Sequence, residues 1–357
     1  MAVYYLLVSI AFLLCAFDFV NGKVIRLSVY SSFCLFLVLF VGLRSIGVDN
    51  DSRNYEDAFD IAGSIPWIDL LTGNYDESME RGYLLLNKVI YATDGNVHVV
   101  FLIMAILTGF VNFTLIFQKS PFPFTSLLIY VCFFYFYRDF TQIRYALSAG
   151  IGLWAIFMFI EAKYVKCLLL VFFAVFFHSA VLVVIFFMLA YLVVRNGWFL
   201  FFLPIAGLVL GFYNPTMKLF ELGGLPPTLS NYVMQDEFGR GGYLVSILAQ
   251  LVMLGLLVFR ENLASYYSNR AIDVLYACLA WASFINLMFI SFAIMQRLSS
   301  LLFGAMLFAM PYLFRVWEQK REEQSLALLL RFTFLVFVFY YGMNMIDINL
   351  MRPYSVF

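Results

Sequence analysis

Arg138, Arg144, His178 and Arg297 stand in short interruptions between long apolar runs. A basic side chain held near hydrocarbon is costly and is usually retained for a task. The chemistry this set suggests is anion holding, because a guanidinium offers a planar fork of donors suited to phosphate oxygens. Arg144 carries the argument furthest. Ser148 stands four residues on, and the nearer acid, Asp139, lies five residues back, so helical spacing gives Arg144 no local partner. Arg138 has Asp139 beside it, and pairing would lower the burial cost of both. Arg297, in Met-Gln-Arg-Leu, reads either as a headgroup-facing residue or as another anion contact. His178, in Phe-Phe-His-Ser-Ala, reads either as a satisfied buried histidine or as a general base. His98, at the head of an apolar run, reads as an interface residue.

A second cluster lies at Arg44, Ser45, Gly47, Asp49 and Asp51. Arg44 could reach lipid headgroups with the acids solvated nearby, or it could face a ligand. Asp49 and Asp51 are two acids in a loop, a weak signal for a divalent cation, so no metal is expected. Glycine-rich phosphate loops, Gly-x-Ser-x-Gly and His-Glu-x-x-His are absent, and no basic aromatic patch points to nucleic acid.

The elements that must position these residues follow from composition. The 357 residues are 64% hydrophobic, 20% aromatic and 12% charged, and stretches such as 124–137, 181–194 and 243–259 hold no charge at all. Backbone groups in lipid must be satisfied within each segment, so the expected class is an all-α, polytopic integral membrane protein. The runs do not alternate as barrel strands would. About twelve transmembrane helices fit, within one transmembrane domain over 1–357. Residues 3–20 read as a first span, not a signal peptide, lacking a basic leader and a small-residue cleavage pattern. The five cysteines lie inside apolar runs without paired spacing and read as buried thiols.

Alternate short loops collect eleven Lys and Arg, from Lys23 and Arg26 to Arg315, Lys320 and Arg321, which the positive-inside rule assigns to the cytoplasm. Two long loops, 44–96 and 214–242, then face outward, as do both termini. The first carries ten acids against four bases, and Glu80 to Tyr91 has one apolar side and suits a short surface helix. Tyr4, Tyr5, Trp198 and Trp317 fit interface anchors. Read as one helix, 164–194 would be ~46 Å long, too long for a ~30 Å core. Two short helices meeting at His178 are expected, and 124–160 is expected to break likewise over 138–144. The tips of such hairpins lie below the outer surface and line a cavity open to the outside.

At these residues the chain resembles the EpsG-like and Wzy-type bacterial polysaccharide polymerases. The likeness rests on Gly42, Leu43, Arg44, Gly47, Val48, Asp49, Tyr55 and Phe59; on Glu80, Gly82, Tyr83 and Asn87; on Ile143, Arg144, Ala146 and Leu147; and on Phe177 to Ala180, with Arg297 later. The resemblance implies a GT-C-like glycosyltransferase of the bacterial inner membrane, needing no cofactor and working on the periplasmic face. It would join undecaprenyl-diphosphate-linked oligosaccharide repeat units into O-antigen or exopolysaccharide, with a chain-length regulator as a possible partner. On that implication Arg44, Arg144 and Arg297, with Arg138 behind them, hold the diphosphate. His178, Asp49, Asp139 and Glu80 are the candidate bases, and Tyr55, Tyr83 and Gln142 the candidate substrate contacts. A lipid-linked oligosaccharide flippase and a membrane O-acyltransferase using His178 remain as alternatives.

Overall fold

The computed structural model describes residues 1–75, 79–214, 217–218, 221–222, 242–292, 295–319, 324–348 and 351–357. Most of the 214–242 loop therefore lies outside the described residues, as do Lys320 and Arg321. The protein is an all-α, multi-span membrane protein. Among the described residues, seven helices are long and apolar enough to cross a membrane: Ala2–Phe19, Lys23–Gly42, Val97–Lys119, Ile143–Ile160, Asn269–Met288, Gln296–Glu318 and Gln324–Asp347. Four shorter apolar helices accompany them: Tyr164–Val175, Ser179–Val193, Gly197–Phe212 and Tyr243–Val258.

In chain order, the first unit begins with α1 (Ala2–Leu14, extended by a 3₁₀ turn to Phe19) and α2 (Lys23–Gly42). Three short helices follow, α3 (Ser52–Ser64), α4 (Trp67–Thr72) and α5 (Arg81–Ala92), then the long α6 (Val97–Lys119). Asn96 caps α6 by accepting from the Val99 amide at 3.3 Å, which satisfies one orphan donor of the first turn. α7 (Pro123–Tyr130) runs directly into a π-helix over Val131–Thr141, and α8 (Ile143–Ile160) follows. The chain thus stays helical through Arg138 and Asp139, and the break expected over 138–144 shrinks to Gln142, whose φ of −111° and ψ of 59° leave the helix. The π-helix takes up the extra residues within its wider turns. α9 (Tyr164–Val175) ends just before His178, and a 3₁₀ turn at Ser179–Leu182 leads into α10 (Val183–Val193).

Residues fall into two compact units: Met1–Ile151 with Phe172–Ser179 and Lys320–Phe357, and Gly152–Val171 with Ala180–Gln319. Within the first, α2 packs along α6, α3 along α5, and α1 against α7 and the last helix, α17 (Gln324–Ile348; the intervening elements belong to the second unit). One apolar cluster holds the site region together: Tyr55 and Phe59 of α3, Tyr83 and Ile90 of α5, Val100, Phe101 and Met104 of α6, and Ile143 and Leu147 of α8.

Two features of this unit join residues far apart in the chain. Asp18 and Arg331, each a lone charge in an apolar span, pair at 2.9 Å and are enclosed. The Asp18 carboxylate also accepts from the Phe124 and Thr125 amides at 3.0 and 2.9 Å, so it caps the start of α7 while neutralising an arginine from α17. The other feature is the tail after α17. Ser45 donates its amide to the Ser355 carbonyl at 2.9 Å, Arg352 donates to Val48 at 3.1 Å, and the Tyr354 ring stacks on Phe40 at 4.2 Å. Among the described residues, β structure is confined to one antiparallel bridge here, Arg44 with Val356. Tyr4 is correspondingly a core residue and no interface anchor: it is fully buried, and its hydroxyl donates to the Arg352 carbonyl at 2.9 Å. His98 stacks on Phe357 at 4.0 Å.

The second unit holds α10, α11 (Gly197–Phe212), α12 (Tyr243–Val258), α13 (Arg260–Ala264), α14 (Asn269–Met288), α15 (Gln296–Phe303) and α16 (Met306–Gln319). α11 presses Gly207 and Gly211, one turn apart, onto α14, where a Cβ on either would collide with the carbonyl of Phe284 or Leu287. Small residues four apart let two membrane helices approach to backbone contact.

Candidate active site

Three segments of the first unit bring Glu80, Arg144 and His178 together. Arg144 is the second residue of α8, placed where the chain turns at Gln142. Glu80 immediately precedes α5 in extended backbone (φ −69°, ψ 145°). His178 sits in the turn after α9. The Arg144 Nη1 forms an ion pair with the Glu80 Oε2, and the Glu80 Oε1 accepts from the Ser179 amide at 3.2 Å. His178 Nδ1 lies 4.0 Å from the same Oε1. The side chains of Glu80, Arg144 and His178 are 19%, 18% and 13% exposed, so the group is sheltered without being fully enclosed. Arg144 therefore does have a protein partner. It stands 64 residues away in sequence, beyond the reach of helical spacing.

The supports of this group are local and specific. Beneath the guanidinium lie the rings of Tyr55 and Tyr83, with centroids 5.9 and 5.7 Å from its carbon. Both tyrosines are buried, and burial holds the Tyr83 phenol well above its ordinary value, keeping it neutral beside the cation. The His178 backbone is fixed at both ends: its amide donates to Ala174 at 3.0 Å and its carbonyl accepts the Ser148 hydroxyl at 3.0 Å. Its ring meets Tyr145 edge-on at 5.4 Å. Ser148 was not among the expected site residues. Its signal was its place one turn beyond Arg144, on the same face of α8.

Gly82 joins the two halves. Its amide donates to the Phe176 carbonyl at 2.9 Å, and a Cβ there would lie 2.6 Å from that oxygen. Only glycine lets the start of α5 reach the turn that carries His178.

The Arg44 cluster is a different object. Arg44 is fully buried, its Nε donating to Asp49 at 2.7 Å, its Nη1 to Val41 at 2.7 Å and its Nη2 to Phe140 at 2.6 Å. The Phe101 ring lies 4.5 Å from the guanidinium carbon. All three nitrogens are engaged inside the protein, tying the end of α2 to the end of the π-helix. Asp49 is equally enclosed and additionally accepts from the Asp51 amide at 3.0 Å.

Arg138 and Asp139 are buried on the π-helix. Asp139 accepts the Tyr130 hydroxyl at 2.8 Å, and Arg138 lies 4.0 Å from the centroid of Phe134. Gln142 is buried at the chain turn. Arg297, on α15, belongs to the second unit. Among the described residues no group of three or more His, Cys, Asp or Glu could hold a metal.

The geometry suits one kind of chemistry: a cation that can meet an anionic oxygen, beside a carboxylate and an imidazole that can accept a proton. A family model described as the EpsG family matches residues 27–356. No curated protein and no solved structure matches the chain.

Proposed function

Because the chain belongs to the EpsG family of Wzy-type polysaccharide polymerases, we propose that it joins lipid-linked oligosaccharide repeat units by glycosyl transfer at the Glu80–Arg144–His178 group. The donor is a growing chain on undecaprenyl diphosphate, and the acceptor is the terminal sugar hydroxyl of a second lipid-linked unit. The hydroxyl oxygen attacks the anomeric carbon, the bond from that carbon to the diphosphate breaks, and the electron pair leaves on the diphosphate. The hydroxyl proton passes to a base on the protein. A diphosphate needs no general acid to leave. What accelerates the step is positive charge held where negative charge accumulates, in surroundings that exclude water.

The observation that carries this reading is the half-open Glu80–Arg144–His178 group, assembled from three segments that each bear part of the family pattern. Arg144 supplies the charge for the diphosphate, and Glu80 with His178 supplies the base. Arg44 and Asp49 act as a brace, because their donors and acceptors are spent on each other and on backbone. The site faces the periplasm of the bacterial inner membrane, in keeping with the basic residues of the alternate loops.

The test is reconstitution of the purified protein in liposomes with a lipid-linked repeat unit. Ladder formation is expected from the wild type, and its loss from Arg144→Ala at unchanged protein level. Movement of the unit across the bilayer without ladders would instead make the protein a flippase. Acyl incorporation would make it an O-acyltransferase.

A further inference from the structure

Glu80 occupies the N-cap position of α5 but does not cap it. Aspartate at that position turns its carboxylate back onto the first amides of its own helix, and the longer glutamate side chain reaches past them. Here the Gly82 amide is taken by Phe176, and the Glu80 carboxylate reaches outward to Arg144 and the Ser179 amide. Those two donors, a guanidinium and a backbone N–H, are also what a phosphate oxygen requires. The pair differs in kind from the Arg44–Asp49 pair. Arg44 is wholly enclosed and held by three acceptors, whereas Arg144 and Glu80 keep nearly a fifth of their side-chain surface open. A competing anion can reach a pair with that much open surface, and it cannot reach the enclosed Arg44 pair.

We propose that the Glu80 carboxylate is a built-in stand-in for the substrate diphosphate, and that donor binding exchanges it. This inference rests on the reading of Arg144 as the diphosphate contact. A phosphate oxygen of the lipid diphosphate takes the place of the Glu80 Oε2 on Arg144. The released carboxylate stays beside His178 and receives the proton of the attacking sugar hydroxyl as the new glycosidic bond forms and the diphosphate departs. The carboxylate oxygen that had faced the guanidinium is then the one presented to that hydroxyl. The base is therefore masked until a donor is in place, and donor binding and base activation become one event.

The experiment measures equilibrium binding of farnesyl diphosphate, a sugar-free isoprenoid diphosphate, to the full-length protein in detergent, with the ladder assay in parallel. Glu80→Gln is expected to bind about five- to tenfold tighter than wild type, the size of releasing a partly exposed ion pair, while ladder formation is lost. Glu80→Asp keeps the charge but shortens the reach to Arg144. It is expected to bind tighter as well and to retain part of the turnover, and it decides the question if Glu80→Gln gives no cooperative melt. Binding no tighter than wild type in the folded variant overturns the exchange, while loss of binding in Arg144→Ala leaves Arg144 as the diphosphate contact. Wild-type binding by Arg144→Ala overturns the site assignment itself.

Discussion

Two buried or half-buried arginines, each paired with an acid, have opposite consequences in this protein. Arg44 with Asp49 lies at 0% exposure on both sides, so removing one partner strands a charge in a low-dielectric interior. Asp49→Ala is therefore expected to lower stability by ~3–5 kcal/mol, read as an earlier thermal melt in detergent and reduced yield. An Asp49→Ala protein that melts like the wild type would show that the pair is no brace. Arg144 with Glu80 keeps 18% and 19% of its side-chain surface open, so substitutions there are expected to cost the fold less than at Arg44 and to act on ligand and turnover. The residue types are the same; enclosure sets their roles.

At the scale of elements, the site depends on a contact between the start of α5 and the turn after α9. The Gly82 amide bonds the Phe176 carbonyl, and Ser148 on α8 holds the carbonyl of His178. α8 and α9 thus fix His178 through its backbone, α5 bonds the turn that carries it, and its ring meets Tyr145 edge-on. Gly82→Ala would place a carbon 2.6 Å from the Phe176 oxygen, so the turn must move. A stability loss of ~1–3 kcal/mol, with a larger fractional loss of ladder formation, is the expected result. Wild-type turnover in Gly82→Ala would show that the site does not depend on this contact. The π-helix over Val131–Thr141 belongs to the same scale. It carries the chain through Arg138 and Asp139 without a loop, so that Gln142 alone redirects it into α8.

Taken as a whole molecule, the chain is expected to take its orientation from where its basic residues stand. Thr93, between α5 and α6, is expected outside, and Glu161, between α8 and α9, inside. The five native cysteines are all buried, which gives a quiet background for labelling. A membrane-impermeant maleimide is expected to label Thr93→Cys in intact cells and Glu161→Cys only after permeabilisation. The reverse pattern would turn the protein over and put the Glu80–Arg144–His178 group on the cytoplasmic side.

The apolar runs by themselves determined the all-α membrane class, the break near His178 and the isolation of Arg144 from any acid on its own helix. These are local properties, set by hydrophobic periodicity and by the reach of one or two helical turns. Tertiary structure decided who meets whom. Glu80 meets Arg144 across 64 residues and Arg331 meets Asp18 across 313, and no spacing rule reaches so far. The sequence does show Asp18 and Arg331 as single opposite charges in separate spans, a hint that intramembrane charges seek partners. It could not show that Arg44 would be closed off and Arg144 left open. That difference comes from packing: Phe101, Phe140 and the tail after α17 surround Arg44, while Arg144 stands at a helix end where three segments meet and do not close.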